Sequence, residues 1–143
     1  MAQATVTYEP GLEAHFEQHG FDLKQLTQDL VTYFSSNKQQ RPPYLGKDAP
    51  FFRPDNVSEH EVHHIHMFVQ GITDPQNWSG AYNPNKRTSD SYLVYTYGYF
   101  EESSYRVLGF VEKDAHQKCR TNQDGYRLVR DFMYAADKFR KSC

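Results

Sequence analysis

Hydrophobic positions along the chain change period several times, and each change marks an element. Residues 4–8, ATVTY, alternate and are rich in β-branched types, which predicts a short first strand. Pro10, then LEAHFEQH and Gly20, place proline at the start and glycine at the end of a short helix. Asp22 with Gln25 three positions on forms a capping box. Leu23, Leu26, Leu30, Val31 and Phe34 then recur at helical spacing, so a helix is predicted over about 22–37.

Pro42, Pro43, Pro50 and Pro54 exclude a continuous helix or central strand from residues 38–60. This stretch reads as a structured loop, long enough to suggest a role beyond connection. Three runs rich in β-branched and aromatic residues follow: VHHIHMFVQ (62–70), SYLVYTYGYF (91–100) and YRVLGFVE (105–112). The last two are joined by a hairpin-length link, Glu101 to Ser104. From about Asp124 to Lys141, Leu128, Phe132, Ala136 and Phe139 fall on one side of an amphipathic helix.

This order predicts one α+β domain over residues 1–143: a twisted antiparallel sheet with two N-terminal helices and a C-terminal helix, the helices packed on one face. Consecutive strands with short links form a meander. Gln70, the Arg87–Asp90 segment and the Lys113–Arg120 segment should therefore meet at one edge of the sheet. That edge is where chemistry is expected.

Composition narrows the classes. No apolar run reaches the roughly 20 residues of a membrane span. The opening MAQATVTYEP lacks the basic start and apolar stretch of a secretory signal, so a cytoplasmic location is expected. Cys119 and Cys143 then read as free thiols. A net charge of −2 argues against binding bare nucleic acid by bulk electrostatics. The average conceals an asymmetry, however. Residues 113–143 hold eight basic side chains (Lys113, Lys118, Arg120, Arg127, Arg130, Lys138, Arg140, Lys141) against four acidic ones (Asp114, Asp124, Asp131, Asp137).

Side chains alternate along a strand, so His64 and His66 share one face while His63, Ile65, Met67 and Val69 share the other, core-like one. Arg87 and Asp90 precede the central predicted strand, and Lys113, His116 and Arg120 follow the last. Cutting RNA requires a base for the 2′-hydroxyl proton, an acid for the leaving 5′-oxygen and cations for the charge growing on phosphorus. His116 is a candidate acid or base, Asp90 a candidate base or orienting partner, and Arg87, Lys113 and Arg120 candidate phosphate contacts. Tyr92, Tyr95, Tyr97, Phe100 and Trp78 are candidates to stack bases. Residue types and spacing alone favour local capping, a turn and ordinary strand core at these positions.

The pieces LGKDA (45–49), VHHIHM (62–67), RTSDSYLVY (87–95) with Gly98 and Phe100, and KDAHQKCR (113–120), in this order and spacing, resemble the YafO family of type II toxins. The resemblance implies a RelE/ParE-like toxin fold and a ribosome-dependent mRNA interferase: an endoribonuclease that cuts messenger RNA on the ribosome, inhibits translation and is neutralised by a cognate antitoxin. It needs no cofactor or metal. The positions carried over are His64, His66, Arg87, Asp90, Lys113, His116 and Arg120, with Gly46 and Asp48 as loop-shaping or functional positions. His116 ranks first as general acid or base, and His64 or His66 supplies the second proton-transfer group. The first 20 residues and the segment 71–86 extend beyond the family's usual pattern. Two rivals predict different observables: a non-catalytic toxin of the same fold that inhibits a target such as gyrase, and a metal-binding regulatory domain built on His60, His64 and His66.

Overall fold

A computed structural model describes residues 3–79, 83–120, 122 and 125–143. Five strands form one mixed sheet in the order β1-β5-β4-β3-β2: β1 (Thr5–Tyr8), β2 (Leu45–Pro50), β3 (His63–Met67), β4 (Tyr92–Tyr97) and β5 (Ser104–Val111). The helices are α1 (Leu12–Gln18), α2 (Leu23–Ser35), α3 (Pro75–Ser79), α4 (Ala115–Arg120) and α5 (Arg127–Ser142). Among the described residues no helix is long and apolar enough to cross a membrane, and both cysteines are free.

Strands β3, β4 and β5 form the expected antiparallel meander. The sheet is nevertheless not wholly antiparallel, because β1 pairs in parallel with β5, Thr5 opposite Ser104. The proline-rich stretch also contributes β2, which pairs antiparallel with β3. Prolines are tolerated there because β2 is an edge strand, where a missing N–H costs no ladder bond on the open side.

The helices cover both faces of the sheet, not one. Phe16 of α1 and Leu26, Leu30, Tyr33 and Phe34 of α2 pack with Ile65, Leu93, Tyr95, Val107 and Phe110. Val129, Phe132, Met133 and Ala136 of α5 pack on the opposite side with Tyr92, Val94, Leu108 and Val111. The run Tyr92 to Tyr95 is buried at every position, as a strand covered on both sides requires. Each large apolar side chain so buried contributes roughly 1.5–3 kcal/mol.

Helix α2 begins as its capping residue directs, with Asp22 Oδ1 accepting the Gln25 N–H at 3.1 Å. The C-terminal helix begins at Arg127, and Asp124, its expected start, lies outside the described residues.

Candidate functional site

One end of the sheet opens into a cleft of about 720 Å³ between β2, β3, the segment before β4, and α4. A bulge in β2 shapes its wall. Leu45 pairs with Met67 and Asp48 with Ile65, so Gly46 and Lys47 together stand opposite the single residue His66. Gly46 is required there, since a Cβ would lie 2.2 Å from the Arg87 carbonyl oxygen and 2.7 Å from the Trp78 ring. Alternation beyond the bulge sends Asp48 to the α2 side, where it accepts hydrogen bonds from Tyr33 at 2.6 Å and Tyr95 at 2.8 Å and pairs with Lys38 at 3.2 Å. Asp48 is therefore a buried structural anchor in the α2-side core.

His64, His66, Asp90, His116 and Arg120 all line the cleft. His64 lies between Phe51 (ring centroids 4.4 Å) and Tyr92 (4.5 Å). Burial, followed by the nearby His66 and Arg120, pushes its pKa down to about 3, so its ring is neutral at physiological pH. Its Nδ1 is buried with no protein partner. His66 is also held below the usual histidine range, first by burial, with Lys47 and His116 adding to the effect and the Ser89 backbone and Asp90 opposing it. Its Nδ1 sits 2.8 Å from both the carbonyl oxygen and the amide nitrogen of Ser89. One ring position thus finds an acceptor when protonated and a donor when not.

Asp90 reaches α4. Its backbone oxygen accepts the Ala115 N–H at 3.0 Å and its Oδ1 accepts the His116 N–H at 2.6 Å. Asp90 therefore caps the helix that carries His116 and Arg120, both exposed at the mouth of the cleft. Cys119 faces the same wall, but burial and then Asp90 push its thiol up to about 12, which leaves it protonated and unsuited as a nucleophile. Burial likewise lifts the Tyr92 phenol to about 12.

Three residues expected at this edge stand outside the cleft. Arg87 turns to β2: its Nη2 donates to the Leu45 carbonyl at 2.9 Å, its guanidinium lies 5.7 Å from the Trp78 ring centroid, and its own carbonyl accepts the Lys47 N–H at 2.9 Å. Its place is that of a clamp on the bulge. Lys113 is exposed on the turn after β5, beyond the lining of the cleft, because the backbone reverses at Asp114 (φ 54°). Gln70 lines a separate groove with Phe21, Tyr44 and Phe68. Of the aromatics proposed to stack bases, Tyr92 lines the cleft but is buried, Tyr95 is bonded to Asp48, and Trp78 lies under Arg87. Tyr97 lies beside His63 and Arg140, and Phe100 is exposed elsewhere.

Sequence reading missed Lys47, Phe51, Phe52, Arg53, Thr88, Ser89 and Tyr126, which complete the lining. Lys47 and Arg53 add exposed cations, and Phe52 adds an aromatic ring that is 78 % exposed. The signal for Lys47 was its place within LGKDA, and its strand was hidden by the surrounding prolines. Among the described residues, His60, His64 and His66 do not gather as metal ligands, since His60 turns to Asp137 at 2.6 Å.

Against known proteins, the model of a family described as toxin YafO, type II toxin-antitoxin system, matches residues 31–141. No curated protein and no solved structure matches the chain. The matched range contains every residue of the cleft and leaves out β1 and α1.

Proposed function

The chain belongs to the YafO family of type II toxin–antitoxin toxins, and from that premise we propose that it is a ribosome-dependent endoribonuclease that cleaves messenger RNA and inhibits translation. The antitoxin is the partner that membership implies. The observation that carries the reading is the joint presence, in one cleft, of two imidazoles and three cations from four separate segments: His66, His116, Lys47, Arg53 and Arg120. The element order, with α1 and α2 before the meander and α4 and α5 after it, supports a RelE/ParE-type fold for this toxin.

In this reading the 2′-hydroxyl of a bound message attacks its own 3′-phosphate. The new O–P bond forms as the bond to the 5′-oxygen breaks, leaving a 2′,3′-cyclic phosphate and a 5′-hydroxyl end. His66 is the base. Burial keeps it neutral, and with Nδ1–H donated to the Ser89 carbonyl its Nε2 lone pair is left to take the 2′-hydroxyl proton. His116, exposed at the mouth, protonates the departing 5′-oxygen. Lys47, Arg53 and Arg120 offset the charge growing on the phosphoryl oxygens. His64, neutral and wedged between two rings, holds the wall and offers hydrogen bonds without exchanging a proton. The local cations suffice for a toxin with net charge −2 when the ribosome presents the message.

Induction of the wild-type chain should arrest growth and produce new 5′ ends in cellular messages by primer extension. His116→Ala and His66→Ala should each lower cleavage by about 10²–10⁴-fold while the fold is retained. Full toxicity of His116→Ala would remove its assigned role. DNA damage without message cleavage would instead identify a gyrase-type inhibitor.

A further inference from the structure

On the face of the sheet opposite the cleft, a second group of side chains is arranged for a different purpose. We propose that His15, His19 and Glu112 form a binding site for a divalent metal ion of the zinc class. His15 and His19 are one helical turn apart, at the end of α1 and its capping position, so both rings project from the same side. Glu112 follows β5 directly. One ligand atom from each residue lies within 4.8 Å of the others, and His15 Nε2 is 3.2 Å from Glu112 Oε2.

Both rings rest on Phe110, at 4.8 Å for His15 and 5.6 Å for His19, which fixes their orientation over an apolar floor. All three ligands are half-buried. Two imidazoles and one carboxylate make a three-ligand set suited to zinc, with a fourth position left for solvent.

The placement gives the ion something to join. Helix α1 precedes the family-matched range, whereas Glu112 lies within it, four positions before His116. The Glu112 carbonyl accepts the Ser91 hydroxyl at 2.7 Å, next to the Asp90 that caps α4. A bound ion would staple the N-terminal helix to the strand end from which α4 departs, on the face of the sheet away from the cleft.

The test uses the full chain, stripped with chelator and titrated with zinc chloride by calorimetry, with thermal unfolding followed in parallel. The wild type should bind about one equivalent and unfold at a higher temperature with zinc, a gain reversed by chelator. Loss of even an outer-shell partner of a metal typically weakens binding about 10–100-fold, so His15→Ala, His19→Ala and Glu112→Gln should each weaken it at least as much. Circular dichroism of the apo variants checks that they fold, and the isosteric Glu112→Gln guards against a packing defect in the alanine variants. Zinc binding that persists in all three, that disappears only in a His64→Ala, His66→Ala double variant, or that is missing from the wild type would overturn the proposal.

Discussion

Asp90 Oδ1 accepts the backbone N–H of His116 at 2.6 Å, across 26 positions of sequence. Helix α4 has Asp114 in the left-handed region (φ 54°) at its start, and the carboxylate that satisfies its first turn comes from the segment before β4. The position of His116 is therefore tied to the segment that also carries Ser89, the partner of His66.

Asp90→Ala should cost about 1 kcal/mol, the usual value of a helix cap, and should lower message cleavage by more than that loss of stability explains. Asp90→Asn retains an oxygen for the amide and should recover the stability. Denaturant unfolding alongside a cleavage assay separates the two effects. A stable Asn variant as inactive as the Ala variant would mean that the negative charge acts on proton transfer as well as on helix position.

Lys47 and Arg120 line the cleft, whereas Lys113 stands outside it. Lys47→Ala and Arg120→Ala should reduce cleavage about 10²-fold or more, as expected on removing a group that steadies transition-state charge, with stability nearly unchanged because both side chains are exposed. Lys113→Ala should behave like the wild type. Single-turnover cleavage of a ribosome-bound message compares the three directly.

The histidine held between Phe51 and Tyr92 makes stability sensitive to acid. The His64 ring has a pKa of about 3 when folded against about 6.5 when unfolded. Below pH 6.5 the unfolded chain takes up a proton that the folded chain refuses. The stabilisation is complete above that pH and is lost progressively as pH falls toward 3. At about 1.4 kcal/mol per pKa unit, the loss is on the order of a few kcal/mol. His64→Phe should flatten the dependence of the urea midpoint on pH between 6.5 and 4 relative to the wild type.

Gly46 has the Arg87 carbonyl and the Trp78 ring where a side chain would begin. Gly46→Ala must push the bulge away from Arg87, at a cost of roughly 1–3 kcal/mol by the usual penalty for overpacking. Lys47 moves with it, so cleavage should fall alongside the thermal midpoint. Arg87→Ala should give the same pair of losses by releasing the bulge at Leu45, since the guanidinium that donates to the Leu45 carbonyl and covers Trp78 is removed while the backbone bond to Lys47 is kept.

Local patterns were enough to find α2, α5 and the three meander strands, because each carries its own period and its own end signals. The gathering of Asp90, His116 and Arg120 followed from meander geometry, and the shared face of His64 and His66 from strand alternation. What escaped depended on distant partners. Pro42 to Pro54 disguised β2, and a proline can end a strand only where a neighbour is lacking on one side. Burial on both faces was written in the unbroken apolar run of β4, yet which helix covers which face is a matter of long-range packing. Arg87 was placed on the correct segment, but its rotamer answers to Trp78 and the Leu45 carbonyl, which sequence spacing does not connect to it.

The pairing of Thr5 with Ser104 has a bearing on how the chain is made. Strand β1 waits for a neighbour that emerges about a hundred residues after it, and such distant pairings form slowly. The cleft matures later still, since Arg120 follows that neighbour. A chain that stops before α4 lacks both His116 and Arg120, so this wall of the cleft is completed only after the last strand of the sheet has been made.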